Sequence, residues 1–191
     1  MFEKIIPLTT TKRQQSKIAK LQKKFSIESQ DSLGTLLFLI YDFFIAENQE
    51  AYQACLKIME DIGFPEKGQA LQWPFIEPAY WLKYYLADAS EKTRIHDYLL
   101  SLEKGRPDHM ITKRLNNILS DETIQYAKDS YEDKDNTPLD KYEAGLALLQ
   151  DELMQLTYKP INDPTRLNQT EEVENIISEL KEQFQKINKF I

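Results

Sequence analysis

Hydrophobic side chains recur every three or four residues along most of the chain, which is the spacing of one face of an α-helix. This pattern predicts a first helix from about residue 11 to 25, a second over 32–47 and a third over 49–62. The second helix is apolar nearly all round, as is typical of a helix in the middle of a bundle. Asp31 and Ser32 are expected to cap its start. No convincing run of alternating apolar and polar residues predicts a strand.

The same kind of pattern begins again after a predicted linker at Trp73-Pro74. A helix is expected over residues 77–86 and another over 90–102, with Ser90 as the cap of the latter. Two helix pairs offset by about 40 residues are typical of stacked helical hairpins. The sequence itself repeats, since Phe43-Phe44-Ile45-Ala46-Glu47 corresponds to Tyr84-Tyr85-Leu86-Ala87-Asp88.

The C-terminal third is predicted to hold four more helices. Two short ones cover residues 108–119 and 121–129, and a loop lies around 133–138. A long helix then runs to about residue 158, and a final helix covers about 170–189. The long helix carries a narrow apolar seam of the kind that packs against neighbouring helices. The seam consists of Leu139, Tyr142, Leu146, Leu149, Leu153 and Leu156.

Together these elements predict an all-α fold of about eight or nine helices, arranged as stacked antiparallel hairpins. We expect one domain over residues 1–191, in which 1–30 form a basic N-terminal helix, 31–107 two hairpins and 108–191 the C-terminal helices. The composition favours the same class, because Val173 is the only valine and sheets draw heavily on that residue.

The segment from Glu50 to Met59 resembles the second helix of a tetratricopeptide-type repeat, with Pro65 in the usual closing position. The resemblance covers at most residues 32–107, and the Trp-Leu-Gly pattern of that family's first helix is missing. It implies helical hairpins of the tetratricopeptide type, an architecture that does not by itself fix a function.

The chain has 191 residues, with 24 Lys and Arg against 31 Asp and Glu and a formal net charge of −7. Its N-terminus has no apolar run typical of a signal peptide. The most apolar stretch, residues 36–46, is far shorter than the roughly 20 residues of a membrane span. Cys55 is the only cysteine, so neither an internal disulfide nor a cysteine-rich zinc site is expected. We therefore expect a soluble cytoplasmic protein.

The sequence contains no motif for catalysis or cofactor binding. His96 and His109, the only histidines, lack the neighbours that zinc and di-iron sites need at helical spacing. Asp133-Lys134-Asp135 begins like a calcium loop, but Pro138 replaces its glycine and Ala144 its bidentate glutamate. There is no glycine-rich phosphate loop and no nucleophile elbow. We therefore predict no bound metal, no cofactor and no enzymatic activity.

Charge marks two regions as candidates for binding. The first predicted helix is strongly basic, which fits either a nucleic acid or an anionic membrane, or else a solvated face that complements an acidic body. We favour the solvated face, so neither nucleic acid nor a membrane is expected as a partner. The basic residues are Lys12, Arg13, Lys17, Lys20, Lys23 and Lys24.

The second region is acidic and spans residues 121–152, where ten Asp and Glu face only three Lys. Such a surface attracts a basic partner and repels nucleic acid, although ordinary solubilising charge is the alternative interpretation. Most aromatic residues at helical spacing belong to the core, and one or two are expected to anchor an interface. The predicted partner-binding residues are Asp129, Glu132, Asp133, Asp135, Asp140, Glu143, Tyr131, Trp81 and Tyr84.

The size, acidity, helical pattern and lack of targeting or catalytic motifs resemble those of bacterial immunity proteins, which neutralise toxin domains delivered between competing cells. The resemblance implies a non-catalytic inhibitor that covers the active site of a basic toxin domain in the cytoplasm, with residues 129–143 pairing with its rim. The alternative is a scaffold or adaptor of the tetratricopeptide kind that grips a peptide of a partner protein. A regulator that touches nucleic acid through the basic helix comes third, and an enzyme last.

Overall fold

The fold is all-α, as the sequence predicts. The computed structural model describes residues 1–64, 73–103, 122–160 and 162–189. Those residues form eight α-helices, preceded by two short 3-10 turns, and contain no strand. The helices are α1 Lys12–Lys24, α2 Gln30–Ile45, α3 Gln49–Ile62, α4 Trp73–Leu86, α5 Ala89–Glu103, α6 Glu122–Glu132, α7 Pro138–Tyr158 and α8 Arg166–Lys189.

Side chains at the helix starts explain several of these bounds. Thr11 and Gln14 form a capping box that begins α1, and Asn48 begins α3 by accepting a hydrogen bond from the backbone N–H of Ala51. The expected cap of α2 at Asp31 and Ser32 is wrong. The hydroxyl of Ser29 caps the helix instead, which places the predicted cap inside the first turn.

Four further helix bounds differ from the sequence prediction. The expected cap at Ser90 is wrong, because α5 begins at Ala89 and the backbone N–H of Glu91 donates to the carboxylate of Asp88. Trp73-Pro74 is not a linker but the first turn of α4, where a proline costs no intrahelical hydrogen bond. Helix α6 continues to Glu132, and α8 begins at Arg166 rather than residue 170. The helix predicted over 108–119, together with His109, lies outside the described residues.

The chain divides into two compact units. The first comprises Met1–Ala79 and Phe184–Ile191, and the second Tyr80–Gln183, so that both divisions fall inside helices, α4 and α8. The single domain over 1–191 stays a prediction. In the described ranges, no helix is both long enough and apolar enough to cross a membrane.

In the first unit, α2 contributes more buried hydrophobic residues than any other described helix. Its buried positions lie on every side of the helix, which confirms the expectation from its apolar sequence. The hydroxyl of Tyr41, a fully buried residue, donates to the carbonyl oxygen of Pro78 at 2.8 Å. Cys55 is buried on α3, and burial raises the pKa of its thiol to about 12, so the thiolate nucleophile is not formed near neutral pH.

In the second unit, the seam of α7 is buried as predicted at five of its six positions, from Tyr142 to Leu156. Leu139 is the exception, since it lies in the first turn and is 39% exposed. Gly145 of α7 lies against side chains of both α6 and α8. A Cβ at this position would lie 2.8 Å from Leu180 Cδ2 of α8 and 3.0 Å from Tyr131 Cε2 of α6. The side chains of α6 and α8 therefore occupy the space of a missing methyl group.

Candidate functional site

Six carboxylates form a continuous acidic stretch at the end of α6, in the loop that follows and at the start of α7. All six residues are exposed, and none pairs with a cation in the part of the chain that the structure describes. Only Lys128, Lys134 and Lys141 lie in the same stretch, so the six carboxylates exceed the neighbouring lysines by three. We call these residues the acidic surface: Asp129, Glu132, Asp133, Asp135, Asp140 and Glu143.

Local hydrogen bonds fix the loop of the acidic surface. A carboxylate oxygen of Asp133 accepts from the backbone N–H of Asp135 at 2.9 Å, which closes a tight turn. The side-chain amide of Asn136 donates to the carbonyl oxygen of Ser130 at 2.7 Å and so ties the loop back to α6. These residues favour turns because their side chains bond to nearby backbone groups, which explains why α6 stops here.

Some members of the acidic surface also have a structural role. The Asp140 carboxylate accepts from the hydroxyl of Thr137 at 2.6 Å and from its backbone N–H at 3.1 Å, completing a capping box for α7. Asp129 accepts from the side-chain amide of Gln125 at 2.7 Å. The other carboxylate side chains of the loop and helix ends have no hydrogen bond among the described residues: these are Glu132, Asp135 and Glu143.

Tyr131 lies half-buried behind the acidic surface. Its ring rests on Gly145, and its hydroxyl donates a hydrogen bond to the carboxylate of Glu179 on α8. Burial raises the pKa of Tyr131 first of all, and the Glu179 carboxylate raises it further. Tyr131 therefore attaches the end of α6 to α8, which is a different task from anchoring a partner.

The two predicted anchors on α4 are placed differently from one another. Tyr84 is only 2% exposed, and its hydroxyl accepts a hydrogen bond from Arg166 Nη2 at 2.8 Å. Arg166 also donates to the carbonyl oxygens of Leu156 and Lys159, so Tyr84 takes part in an internal network of the second unit. Trp81 is half-buried. Of the predicted site, the structure groups the acidic surface with Tyr131 and leaves these two residues on another helix.

An exposed aromatic residue on α6 was not among the predicted site residues. Tyr126 is 75% exposed and lies one turn before Asp129, on the same face of the helix. Its spacing from the acidic residues was visible in the sequence, but its exposure depends on which face of α6 the neighbouring helices cover. The buried neighbour Ala127 marks the covered face.

A second acidic cluster lies between α7 and α8 and is partly buried. The side-chain amide of Gln169 donates to Glu152 at 2.8 Å and to Gln155 at 3.2 Å, and Gln155 in turn donates to Asp151 at 3.1 Å. Burial raises the pKa of Glu152, an effect that the neighbouring charges of Glu172 and Asp151 reinforce and the hydrogen bond from Gln169 opposes. The cluster joins two helices through shared hydrogen bonds.

The basic helix α1 uses part of its charge inside the first unit. Arg13 forms an ion pair with Asp42, whose side chain is completely buried on α2, and Gln14 Nε2 donates to the same carboxylate at 2.7 Å. Lys17 Nζ lies 4.1 Å from the centre of the Phe38 ring, a cation–π distance. The remaining basic residues of the helix are exposed: Lys12, Lys20, Lys23 and Lys24.

Candidate metal ligands do not gather in the part of the chain that is described, where no group of three or more His, Cys, Asp or Glu side chains is placed to hold an ion. His96 is half-buried, and its Nδ1 lies 2.9 Å from the carbonyl oxygen of Thr157. This contact gives the histidine a place in the packing of α5 against α7.

Comparison with known proteins gives no assignment: no family model matches the chain, and neither a curated protein nor a solved structure is significantly similar to it. The resemblances to tetratricopeptide-type repeats and to immunity proteins therefore rest on sequence features alone. Any functional argument must come from the surfaces described above.

Proposed function

We propose that the protein is a non-catalytic protein-binding protein, an immunity protein that neutralises a toxin by covering the toxin's active site. One observation carries the proposal: the acidic surface presents six carboxylates on an ordered loop and two helix ends, with no cation paired to any of them in the described ranges. A basic folded domain is the partner whose charge complements this surface.

The energetics favour a partner that buries the acidic surface. Exposed ion pairs contribute only about 0–1 kcal/mol each, so charge alone gives a fast encounter rather than a tight complex. Carboxylates that become desolvated against a matching cation contribute more. Glu132, Asp135 and Glu143 are available for such contacts because their side chains have no hydrogen bonds to lose within the described residues.

Tight binding also needs an apolar centre, because interface energy concentrates in a few desolvated aromatic and arginine side chains. Tyr126 meets this requirement, since it is exposed on α6 next to Asp129. We include it in the proposed interface. Tyr84 is left out of that interface because its ring is buried, and Tyr131 is assigned to support the surface from behind.

The proposal places the protein in the cytoplasm, where the toxin would act, with no cofactor, no nucleic acid and no membrane as partner. The test is co-expression with the product of the reading frame directly upstream, scored by growth and by co-purification. We expect that product to be toxic alone, and the present protein to restore growth and to elute with it as one complex. A harmless neighbour that does not co-purify would remove the proposal.

The role of the acidic surface is tested by the triple substitution Glu132→Lys, Asp135→Lys and Glu143→Lys. These exposed side chains carry no hydrogen bond in the described part of the chain, so folding should be unaffected while partner affinity falls at least tenfold, which is about 1.4 kcal/mol or more. The matched control Glu28→Lys, Asp97→Lys and Glu171→Lys changes the net charge equally at exposed sites elsewhere. Affinities that fall equally in both variants would contradict a local role.

A scaffold or adaptor of the tetratricopeptide kind is the second candidate. The consecutive, contacting pair α2–α3 supports it, because α3 buries its apolar face, including Tyr52 and Leu56, as the second helix of a helical hairpin does. Affinity separates the two candidates. An adaptor that grips an extended peptide is expected to bind at about micromolar, whereas an inhibitor of a folded toxin is expected at nanomolar or below.

A further inference from the structure

The exposed lysines of α1 form a stripe along one side of the helix. At 100° per residue, Lys12, Lys20, Lys23 and Lys24 fall within an arc of roughly 120°. The buried residues Gln14, Ile18 and Leu21 occupy the opposite side. We call these four exposed residues the lysine stripe.

The lysine stripe has no carboxylate of its own. None of its four residues forms an ion pair within the described part of the chain. The sequence contains no Asp or Glu between Glu3 and Glu28, although acidic residues exceed basic ones in the whole chain by seven. The chain is rich in acidic residues, but α1 has none. The four lysines therefore present positive charge to solvent that no residue of their own helix neutralises.

Stabilisation of α1 does not account for the whole stripe. Lys23 and Lys24 lie in the last turn, where cations favour the helix dipole, but Lys12 lies in the first turn, where a cation is unfavourable. Ser16 and Ala19 lie between the lysines, and both are small and exposed. Their size lets another surface approach the helix closely.

We propose that the lysine stripe of one copy of this protein docks on the acidic surface of a second copy. The two surfaces are opposite in charge, and each presents its charged groups to solvent, unpaired among the described residues. The net charges of the two units agree with this contact. The first unit carries 11 basic and 10 acidic residues, for +1, and the second 13 and 21, for −8. Each copy carries −7 overall, so general repulsion opposes association, and the contact depends on the local attraction between the lysine stripe and the acidic surface.

The inference does not depend on a toxin partner, because both surfaces belong to this chain. If the proposed function also holds, self-association covers the acidic surface until a partner with a better interface displaces the second copy. The contact consists of exposed ion pairs, so we expect weak association, with a dissociation constant of about 100 µM at low salt. Screening should weaken it at least tenfold between 50 and 300 mM NaCl.

Sedimentation velocity of the full chain at about 300 µM tests the proposal. We expect an average mass above that of the 22.5 kDa monomer at 50 mM NaCl and a monomer at 300 mM. A protein that is monomeric at both salt concentrations would overturn the proposal. This includes a monomer that instead binds a DNA duplex at 50 mM NaCl, because the stripe would then be a nucleic-acid surface.

A charge-swap experiment identifies the surfaces. One variant carries Lys12→Glu, Lys20→Glu and Lys23→Glu, and the other carries the Lys substitutions at Glu132, Asp135 and Glu143. Each variant alone should be monomeric at 50 mM NaCl. An equal mixture should associate again, because one variant keeps the lysine stripe and the other keeps the acidic surface. Circular dichroism checks that both variants are folded. Association of either variant alone, or a mixture that stays monomeric, would contradict the proposed contact.

The substitutions Glu28→Lys, Asp97→Lys and Glu171→Lys serve as the control for net charge. This variant keeps both proposed surfaces and changes the total charge as much as reversal of the acidic surface does. It should still associate at 50 mM NaCl. Loss of association in the control would show that total charge, and not the lysine stripe and the acidic surface, governs the effect.

Discussion

The two units of the protein use charge in opposite ways. The first unit is nearly neutral and places one of its ion pairs, Arg13 with Asp42, inside its core. The second unit carries the whole negative excess of the chain and places much of it on the acidic surface. Residue type alone therefore does not indicate a binding role. An aspartate on α2 holds a core together, whereas an aspartate in the loop after α6 is free for solvent or a partner.

The largest effect is expected from removing the buried carboxylate. Asp42→Ala removes a completely buried carboxylate from its ion pair with Arg13, whose side chain is 14% exposed. We expect a loss of about 3 kcal/mol in the free energy of unfolding, measured by urea denaturation. Asp135→Ala is the matched control in the acidic surface and should change stability by less than about 0.5 kcal/mol. Similar losses in both variants would contradict the contrast between the units.

Substituting alanine for a helical glycine is expected to change stability differently in the two units, by less than the loss of Asp42 does. Gly145→Ala places a methyl group 2.8 Å from Leu180 Cδ2, so we expect a loss of about 1–2 kcal/mol. In α2, the same substitution at Gly34 meets Phe75 at 3.4 Å, an ordinary contact. Gly34→Ala should be neutral or stabilise by up to about 1 kcal/mol, because alanine favours a helix. Thermal unfolding of both variants distinguishes the sites, and stabilisation by Gly145→Ala would show that α6, α7 and α8 meet less closely than described.

The smallest effect concerns the half-buried Glu152. A raised pKa means that the folded state disfavours the ionised carboxylate, so its destabilisation appears as pH rises through the normal carboxyl pKa and is complete above the raised value. At pH 7, Glu152→Gln should therefore raise the melting temperature, with a gain of less than about 1 kcal/mol in the free energy of unfolding. At pH 3 the melting temperature should be unchanged. Glu143→Gln, at an exposed position of the same helix, is the control for loss of a carboxylate and should change the melting temperature at pH 7 by less than Glu152→Gln does. A Glu152→Gln variant that is less stable than wild type at pH 7 would contradict the destabilisation attributed to the ionised Glu152 carboxylate.

The sequence predicted helix bounds well where the residues that begin and end the helix are its immediate neighbours in the chain. The bounds of α3 agree with the prediction because Asn48 caps its start and Gly63, with a positive φ of 66°, ends it. The start of α4 was missed because a proline in a first turn looks the same in sequence as a proline in a linker. The all-α class followed from periodicity, which depends on neighbours only a few residues apart.

The candidate site was less predictable, because exposure depends on contacts between distant parts of the chain. The acidic stretch could be identified because its charged residues lie within 15 positions of one another in the sequence, from Asp129 to Glu143. Tyr84 and Tyr126 could not be ranked as anchors from sequence, since the burial of Tyr84 depends on Arg166, which is 82 positions away. The same holds for Tyr131, whose contact with Glu179 spans 48 positions.

The loop between α6 and α7 is ordered by its own hydrogen bonds before any partner arrives. Asn136 ties it to Ser130, and Thr137 with Asp140 fixes the start of the next helix. Freezing one residue of a flexible loop costs about 1–2 kcal/mol in backbone entropy, and in this protein folding has already met that cost. A partner therefore meets a rigid template, so more of the attraction between the charged groups is retained as binding affinity.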